Sequence, residues 1–172
     1  RSTLASTIAD QGRFNEALET AALAVDEYRQ RGETDTPSYG FALNVFGGFL
    51  TESGKLDEAD ATLIEAGTIF SKYLSPTNLW IGDNLRNQAI SLELQGKYDL
   101  SIEKADAAAL MYLENFGKHY DNYPTVLIAK GLSLANSGRA KEAEPLLTEA
   151  LELRTSSLPP SHFWVAAAKG AL

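Results

Sequence analysis

One spacing constrains this chain more than any other feature. Gly12, Gly54, Gly96 and Gly138 stand 42 residues apart, and a basic residue follows each: Arg13, Lys55, Lys97 and Arg139. An apolar residue comes next, at Phe14, Leu56, Tyr98 and Ala140. Other columns keep the register. Ala24, Ala66, Ala108 and Ala150 are all alanine, and Ala5, Gly47, Ala89 and Gly131 are all small. Ile8, Leu50, Leu92 and Leu134 are aliphatic, and Ala17, Ala59, Ser101 and Ala143 are small again. Tyr28, Phe70 and Tyr112 form an aromatic column that Arg154 breaks. A period of this length is the mark of a stacked repeat, in which each unit buries its apolar face only against its neighbours.

The columns have packing reasons. Between Gly12 and Gly54 the apolar residues Phe14, Ala17, Leu18, Ala21, Ala24, Val25 and Tyr28 follow helical periodicity. A glycine between two helical patterns ends the first helix in the left-handed conformation at no steric cost. The basic residue beside it suits the carbonyl end of that helix. The acidic residues that follow (Glu16, Asp57, Glu58, Asp99, Glu142) suit the amide end of the next. Small columns let antiparallel helices approach, and aliphatic and aromatic columns fill the space between pairs. This predicts an all-α chain with first helices near 1–11, 37–53, 78–95, 122–137 and 161–172. Second helices are predicted near 14–31, 56–74, 98–116 and 140–157, about nine in all. Turn-forming residues separate the pairs, at Gly32 to Pro37, Ser75-Pro76-Thr77, Gly117 to Pro124 and Ser156 to Ser161. Pro145 stands early in its helix, where a missing amide costs least.

Composition sets outer bounds. Of 172 residues, 44% are hydrophobic and 22% charged, which argues for a folded chain and against disorder. There is no cysteine, so disulfides and thiolate metal sites are excluded. The net charge of −8, with no basic cluster longer than two residues, argues against nucleic-acid binding. No stretch reaches the roughly 18 apolar residues of a membrane span. The chain opens on Arg1 and ends on Leu172 inside a helical pattern, so the reading is of one repeat domain, residues 1–172, cut from a longer protein.

These residues resemble the tetratricopeptide repeat. Gly-Lys-Leu-Asp-Glu-Ala at 54–59 and Gly-Arg-Ala-Lys-Glu-Ala-Glu-Pro-Leu-Leu at 138–147 look like its turn and second helix, and the likeness runs the length of the chain. A 42-residue period exceeds the usual 34 and is similar to the kinesin-light-chain subtype, whose second helix is longer. Leu158-Pro159-Pro160-Ser161-His162 looks like that subtype's connector. Val165 to Gly170 echoes Val126 to Gly131, so four repeats and the first helix of a fifth are expected. The connector also looks like repeat regions attached to bacterial serine/threonine protein kinases. The resemblance implies an α-solenoid of antiparallel helix pairs wound into a right-handed superhelix. Departures imply irregular geometry: Leu100-Ser101 stands where the other repeats have Glu-Ala, and Leu4, Phe46, Gln88 and Lys130 form a column that does not stay apolar. The last small-column interval, Gly131 to Gly170, is 39 rather than 42.

The resemblance further implies that first helices line a concave groove that binds a peptide or partner segment. Groove-facing positions carry over as Asn44, Val45 and Gly48, then Arg86, Asn87 and Ile90, then Ile128, Ala129 and Leu132. Asn44 and Asn87 match places where light-chain-type repeats carry asparagine. An amide can pair with a peptide backbone whatever its sequence, and Arg86 can add a charged hydrogen bond to a carboxylate. The predicted groove residues are Asn44, Arg86, Asn87, Ile90 and Leu132, with the polar three read as free of packing duties. Ile90, Leu132 and nearby Phe41 favour a partner with an apolar side chain.

No catalytic, nucleotide or metal pattern competes. His119 and His162 lie in connectors, and Asp57, Glu58 and Asp60 are a solvated helix start. Gly47-Gly48 lies inside a helix without the Gly-Lys-Ser/Thr context of a phosphate loop. The expectation is therefore a non-enzymatic, cofactor-free and cytoplasmic protein-interaction module that neither binds nucleic acid nor inserts in a membrane. The rival expectation is a structural spacer in a larger signalling protein, self-associating through uncapped ends. Light scattering at several concentrations separates the two.

Overall fold

A computed structural model describes residues 1–157, and they form eight helices and no strand. In chain order these are α1 (Ser2–Asp10), α2 (Phe14–Arg31), α3 (Pro37–Glu52), α4 (Leu56–Tyr73), α5 (Leu79–Leu94), α6 (Tyr98–Phe116), α7 (Tyr123–Asn136) and α8 (Ala140–Ser157). Each lies within a residue or two of its predicted span. The predicted helix at 161–172 and the connector with His162 lie outside the described residues.

Within every pair, the turn is built the same way. Gly12, Gly54, Gly96 and Gly138 adopt φ of 76°, 77°, 74° and 83°, which an L-side chain avoids. The amide after each glycine closes the helix end by donating to a carbonyl five residues back. Lys55 N donates to Leu50 O at 2.9 Å and Arg139 N to Leu134 O at 2.8 Å. Two of the four basic side chains turn the other way from the expectation. Arg13 meets Glu16 at 2.5 Å and Arg139 meets Glu142 at 2.8 Å, so they pair with the first turn of the following helix rather than the end of the preceding one. Both pairs are solvent-exposed and contribute little to stability. Between pairs the helix starts differ. Thr36 caps α3 ahead of Pro37 through a bond from Tyr39 N, and Asn78 caps α5 through one from Trp80 N.

The pair interiors use a size exchange between two columns. Gly47 on α3 faces Leu63 on α4, and Gly131 on α7 faces Leu147 on α8. A Cβ at Gly47 would stand 2.7 Å from Leu63 Cγ, and one at Gly131 would stand 2.7 Å from Leu147 Cγ. One period away from these, both columns hold alanine, Ala5 with Ala21 and Ala89 with Ala105, and all four are fully buried. Volume lost on one helix is returned on its partner, which keeps the interhelix gap filled. Gly131→Ala is therefore expected to destabilise by about 1–3 kcal/mol, although alanine is the better helix former. Adding Leu147→Ala, which recreates the alanine–alanine arrangement, is expected to recover part of that loss. Chemical denaturation of the two variants checks it.

The break at Ser101 is also a fitted feature. Its hydroxyl donates to Ala89 O at 2.8 Å and accepts from Ser133 Oγ at 2.8 Å, so a buried polar atom joins α5, α6 and α7. Phe70 and Tyr112 are fully buried between pairs, Phe70 beside Trp80 and Tyr112 beside Tyr120. First helices also touch in succession, α1 with α3, α3 with α5 and α5 with α7, while among the described residues no second helix packs as closely on another. The first helices are thus the inner, close-packed layer of a curved stack, and the groove lies on their side.

Candidate groove site

On the inner layer, α3 and α5 are joined by a ladder of side-chain amides. Asn84 Nδ2 donates to Asn44 Oδ1 at 3.1 Å and to Leu63 O at 2.9 Å. Asn87 Nδ2 donates to Asn44 O and Oδ1, each at 3.3 Å, and Gln88 Nε2 donates to Asn84 Oδ1 at 2.6 Å. Asn44 and Asn84 are buried, at 4% and 2% exposure. The sequence reading left Asn44 without a packing duty; the structure gives it one, as the shared acceptor of a buried network. Asn84 stands in a column that is otherwise Ala42 and Val126, and a polar residue among apolar ones was the available signal for the ladder.

Gly67 makes room for it. This glycine lies inside α4, where it costs about 1 kcal/mol against alanine, yet a Cβ there would stand 2.7 Å from Asn84 Oδ1. Asn84 is held from three sides and has no free direction in which to yield. Gly67→Ala is expected to destabilise wild type by about 1–2 kcal/mol and to stabilise an Asn84→Ala background, where the obstacle is gone. A double-mutant cycle in urea reads the change of sign.

Further along the groove, Arg86 lies on the half-buried face of α5. Its Nε and Nη2 donate to Asn87 Oδ1 at 3.3 and 3.0 Å, and Nη1 lies 3.7 Å from Asp83 Oδ1. Asp83 also accepts from Tyr112 Oη at 2.7 Å and from Asn122 Nδ2 at 2.8 Å. That carboxylate therefore ties α5 to α6 and to the connector before α7. Burial pushes the Tyr112 hydroxyl well above its ordinary range, so it stays a donor.

Beside Arg86 and Asn87 the groove opens into a cavity of about 410 Å³, which Ile90, Asn122, Thr125 and Arg154 also line. Glu52 at the end of α3 reaches its rim, and desolvation raises that carboxyl above its usual range while the field of Arg86 opposes the shift. Of the five predicted groove residues, the cavity unites Arg86, Asn87 and Ile90. Asn44 lies beneath it as a support, and Leu132 is half-buried one repeat further on, outside the cavity wall. Val45 and Ala129 are turned into packing instead: Ala129 is 4% exposed, and Val45 packs against the core between α1, α2 and α3. Sequence reasoning missed Asn122, Thr125 and Arg154 on the cavity wall, and Asp83 as the carboxylate beside Arg86. Among the described residues no cluster of three or more His, Cys, Asp or Glu is placed to hold a metal, and no helix is long and apolar enough to cross a membrane.

Comparison with known proteins agrees with the helical-repeat fold. Residues 80–156 match the tetratricopeptide repeat family. No curated protein matches the sequence. Among solved structures, the nearly identical TPR-like repeats assigned to a kinesin light chain of Podosopora anserina superpose with a TM-score of 0.73 at 16% identity. The match covers 99% of this chain and 81% of that one. A singly substituted variant of the same repeats gives a TM-score of 0.74 at the same identity and coverage. BtubC (BKLC) of P. vanneervenii gives a TM-score of 0.74 at 17% identity, with 91% of this chain and 62% of that one covered.

Proposed function

We propose that this chain, a tetratricopeptide-repeat array over residues 80–156 with a kinesin-light-chain-like fold, binds a peptide or partner-protein segment in the groove of its first helices, without catalysis. One observation carries the reading most directly. Arg86, Asn87 and Ile90 share a half-open cavity that offers charged, amide and aliphatic chemistry within one span of α5. A binding groove needs such a mixture: an apolar pocket for affinity and a few fixed polar groups for register. The ladder beneath supplies rigidity. Because Asn44 and Asp83 already hold Asn87 and Arg86, a ligand meets side chains whose rotamers are set beforehand, and the entropy lost on binding falls.

The experiment is selection of binders from an unbiased displayed peptide library on the immobilised chain, followed by competition. The reading expects selected peptides to compete with one another and to be weakened by substitutions at Arg86 and Asn87. Peptides whose affinity ignores both positions would contradict it.

A further inference from the structure

Beyond the groove, we propose that the outward face of α6 docks a basic amphipathic helix of a partner protein. The argument starts from three columns that break in the third repeat alone. Leu100 stands where the other repeats have Glu16, Glu58 and Glu142, and Leu110 where they have Asp26, Thr68 and Glu152. Leu113 stands where they have Arg29, Ser71 and Thr155. Packing does not call for these exchanges. Leu110 is 57% exposed and Leu113 43%, Leu100 is exposed as well, and the other repeats build the same helix with polar residues there. A single exposed leucine carries no information, but these are joined. Leu110, Leu113 and Phe116, itself 45% exposed, follow at three-residue steps and so lie side by side along the end of α6. A contiguous apolar stripe rimmed by polar residues marks a surface that meets another protein.

The occupant follows from the surroundings of the stripe. Among the described residues α6 and α8 do not pack closely on one another, so the outer side of the stack is open beside the stripe to a helix with one apolar face. Charge sets the sign of that helix. Two repeats before Leu113, Arg29 on α2 donates to Tyr39 Oη on α3 at 3.2 Å and lies in the negative field of Glu65 on α4. The same three places two periods later hold Leu113, Tyr123 and Glu149, so the tyrosine and the carboxylate are kept and the cation is gone. Burial raises the pKa of the Tyr123 hydroxyl, and the charge of Glu149 raises it further. Glu103 pairs with Lys104 at 3.2 Å and Asp106 with Lys130 at 2.5 Å. Among the described residues Glu114, Glu149 and Glu152 pair with no cation. Lys118 and His119, just after Phe116, line the groove cavity instead. A partner lysine or arginine beside Leu113 restores the missing cation. A second copy, with a net charge of −8, would bring acids against acids on this face.

The test uses the full chain, a helical lysine–leucine peptide with its leucines on one face, and a glutamate–leucine peptide of the same length. With the lysine peptide, backbone amide shifts are expected at Leu110, Leu113 and Glu149, saturating at high micromolar concentration; the glutamate peptide should give none. Leu110→Thr with Leu113→Ser installs the second repeat's residues at those columns. This double variant should keep the melting transition and weaken binding at least tenfold. Glu149→Gln should weaken it about threefold, the size of one exposed ion pair. Unchanged affinity in the double variant, equal binding of the two peptides, or shifts confined to the groove cavity would each overturn the proposal. So would a dimer in sedimentation that the double variant abolishes, which assigns the stripe to a second copy. An open stripe has no pocket and binds weakly, so selection for tight binders fills the groove and not the stripe. A library-selected groove peptide should leave the lysine peptide in place, and failure of either site is read without the other.

Discussion

Tyr112→Ala is expected to cost about 3–5 kcal/mol of stability, the range for emptying a fully buried aromatic site. The ring is completely enclosed, its centroid lies 4.9 Å from that of Tyr120, and a Cβ at Gly82 would stand 2.9 Å from its Cε1. The backbone of α5 has therefore closed onto this side chain and cannot collapse further to fill the void. A second loss adds to the first, because Asp83 is left with one fewer donor for a half-buried carboxylate. Tyr112→Phe separates the two, keeping the packing and losing the hydrogen bond, for about 1–2 kcal/mol. At roughly 2–4 °C per kcal/mol for a chain of this size, the alanine variant melts about 6–20 °C lower. Stability in a stacked array is a sum over neighbours, so hydrogen exchange should show the loss first in α5 to α8, with α1 and α2 changed least. Uniform loss of protection would mean that the chain unfolds as one unit.

Arg86→Ala is expected to lower affinity for a groove peptide by about 10- to 100-fold, the size of effect typical when a central arginine is truncated. The residue is well placed for that role. Its side chain is 20% exposed, held by Asn87 and Asp83, and set on the cavity wall, so little ordering remains to be done on binding. Asn87→Ala should act more broadly, since it removes a groove amide and also a rung of the ladder to Asn44. Melting curves distinguish these effects. Arg86→Ala should leave the transition almost in place, because Asp83 keeps its bonds from Tyr112 and Asn122. Asn44→Ala should do the reverse, lowering stability by about 1–3 kcal/mol with a smaller effect on binding. Isothermal titration with a library-selected peptide measures all three.

The difference between Asn44 and Arg86 shows how far the sequence could be read. Helix positions followed from a period and its punctuation, which are local: the left-handed glycine, the small columns and the aromatic wedge each announce themselves along the chain. Partnerships between helices are not local. Asn44 and Asn87 are polar residues on a groove-lining helix, and no spacing says that one of them is swallowed by the next repeat. That depends on how far α5 slides along α3, a distance set by Gly67 and Asn84 in other turns of the stack. Arg154 was visible as a break in its column, yet the residue it bonds, Thr125, lies far earlier in the sequence. The basic residues after the turn glycines misled for a related reason. At Arg13 and Arg139 an acid three positions on competes with the helix carbonyls and wins.

Backbone amide shift mapping with a library-selected peptide tests the groove assignment most directly. Perturbations are expected along α5 at Asn87 and Ile90, along α7 near Thr125 and Leu132, and at the end of α3 near Glu52. The exposed outer-helix residues Ile64 and Leu110 should stay unmoved. A footprint centred on Ile64 and Leu110, with α5 silent, would contradict it.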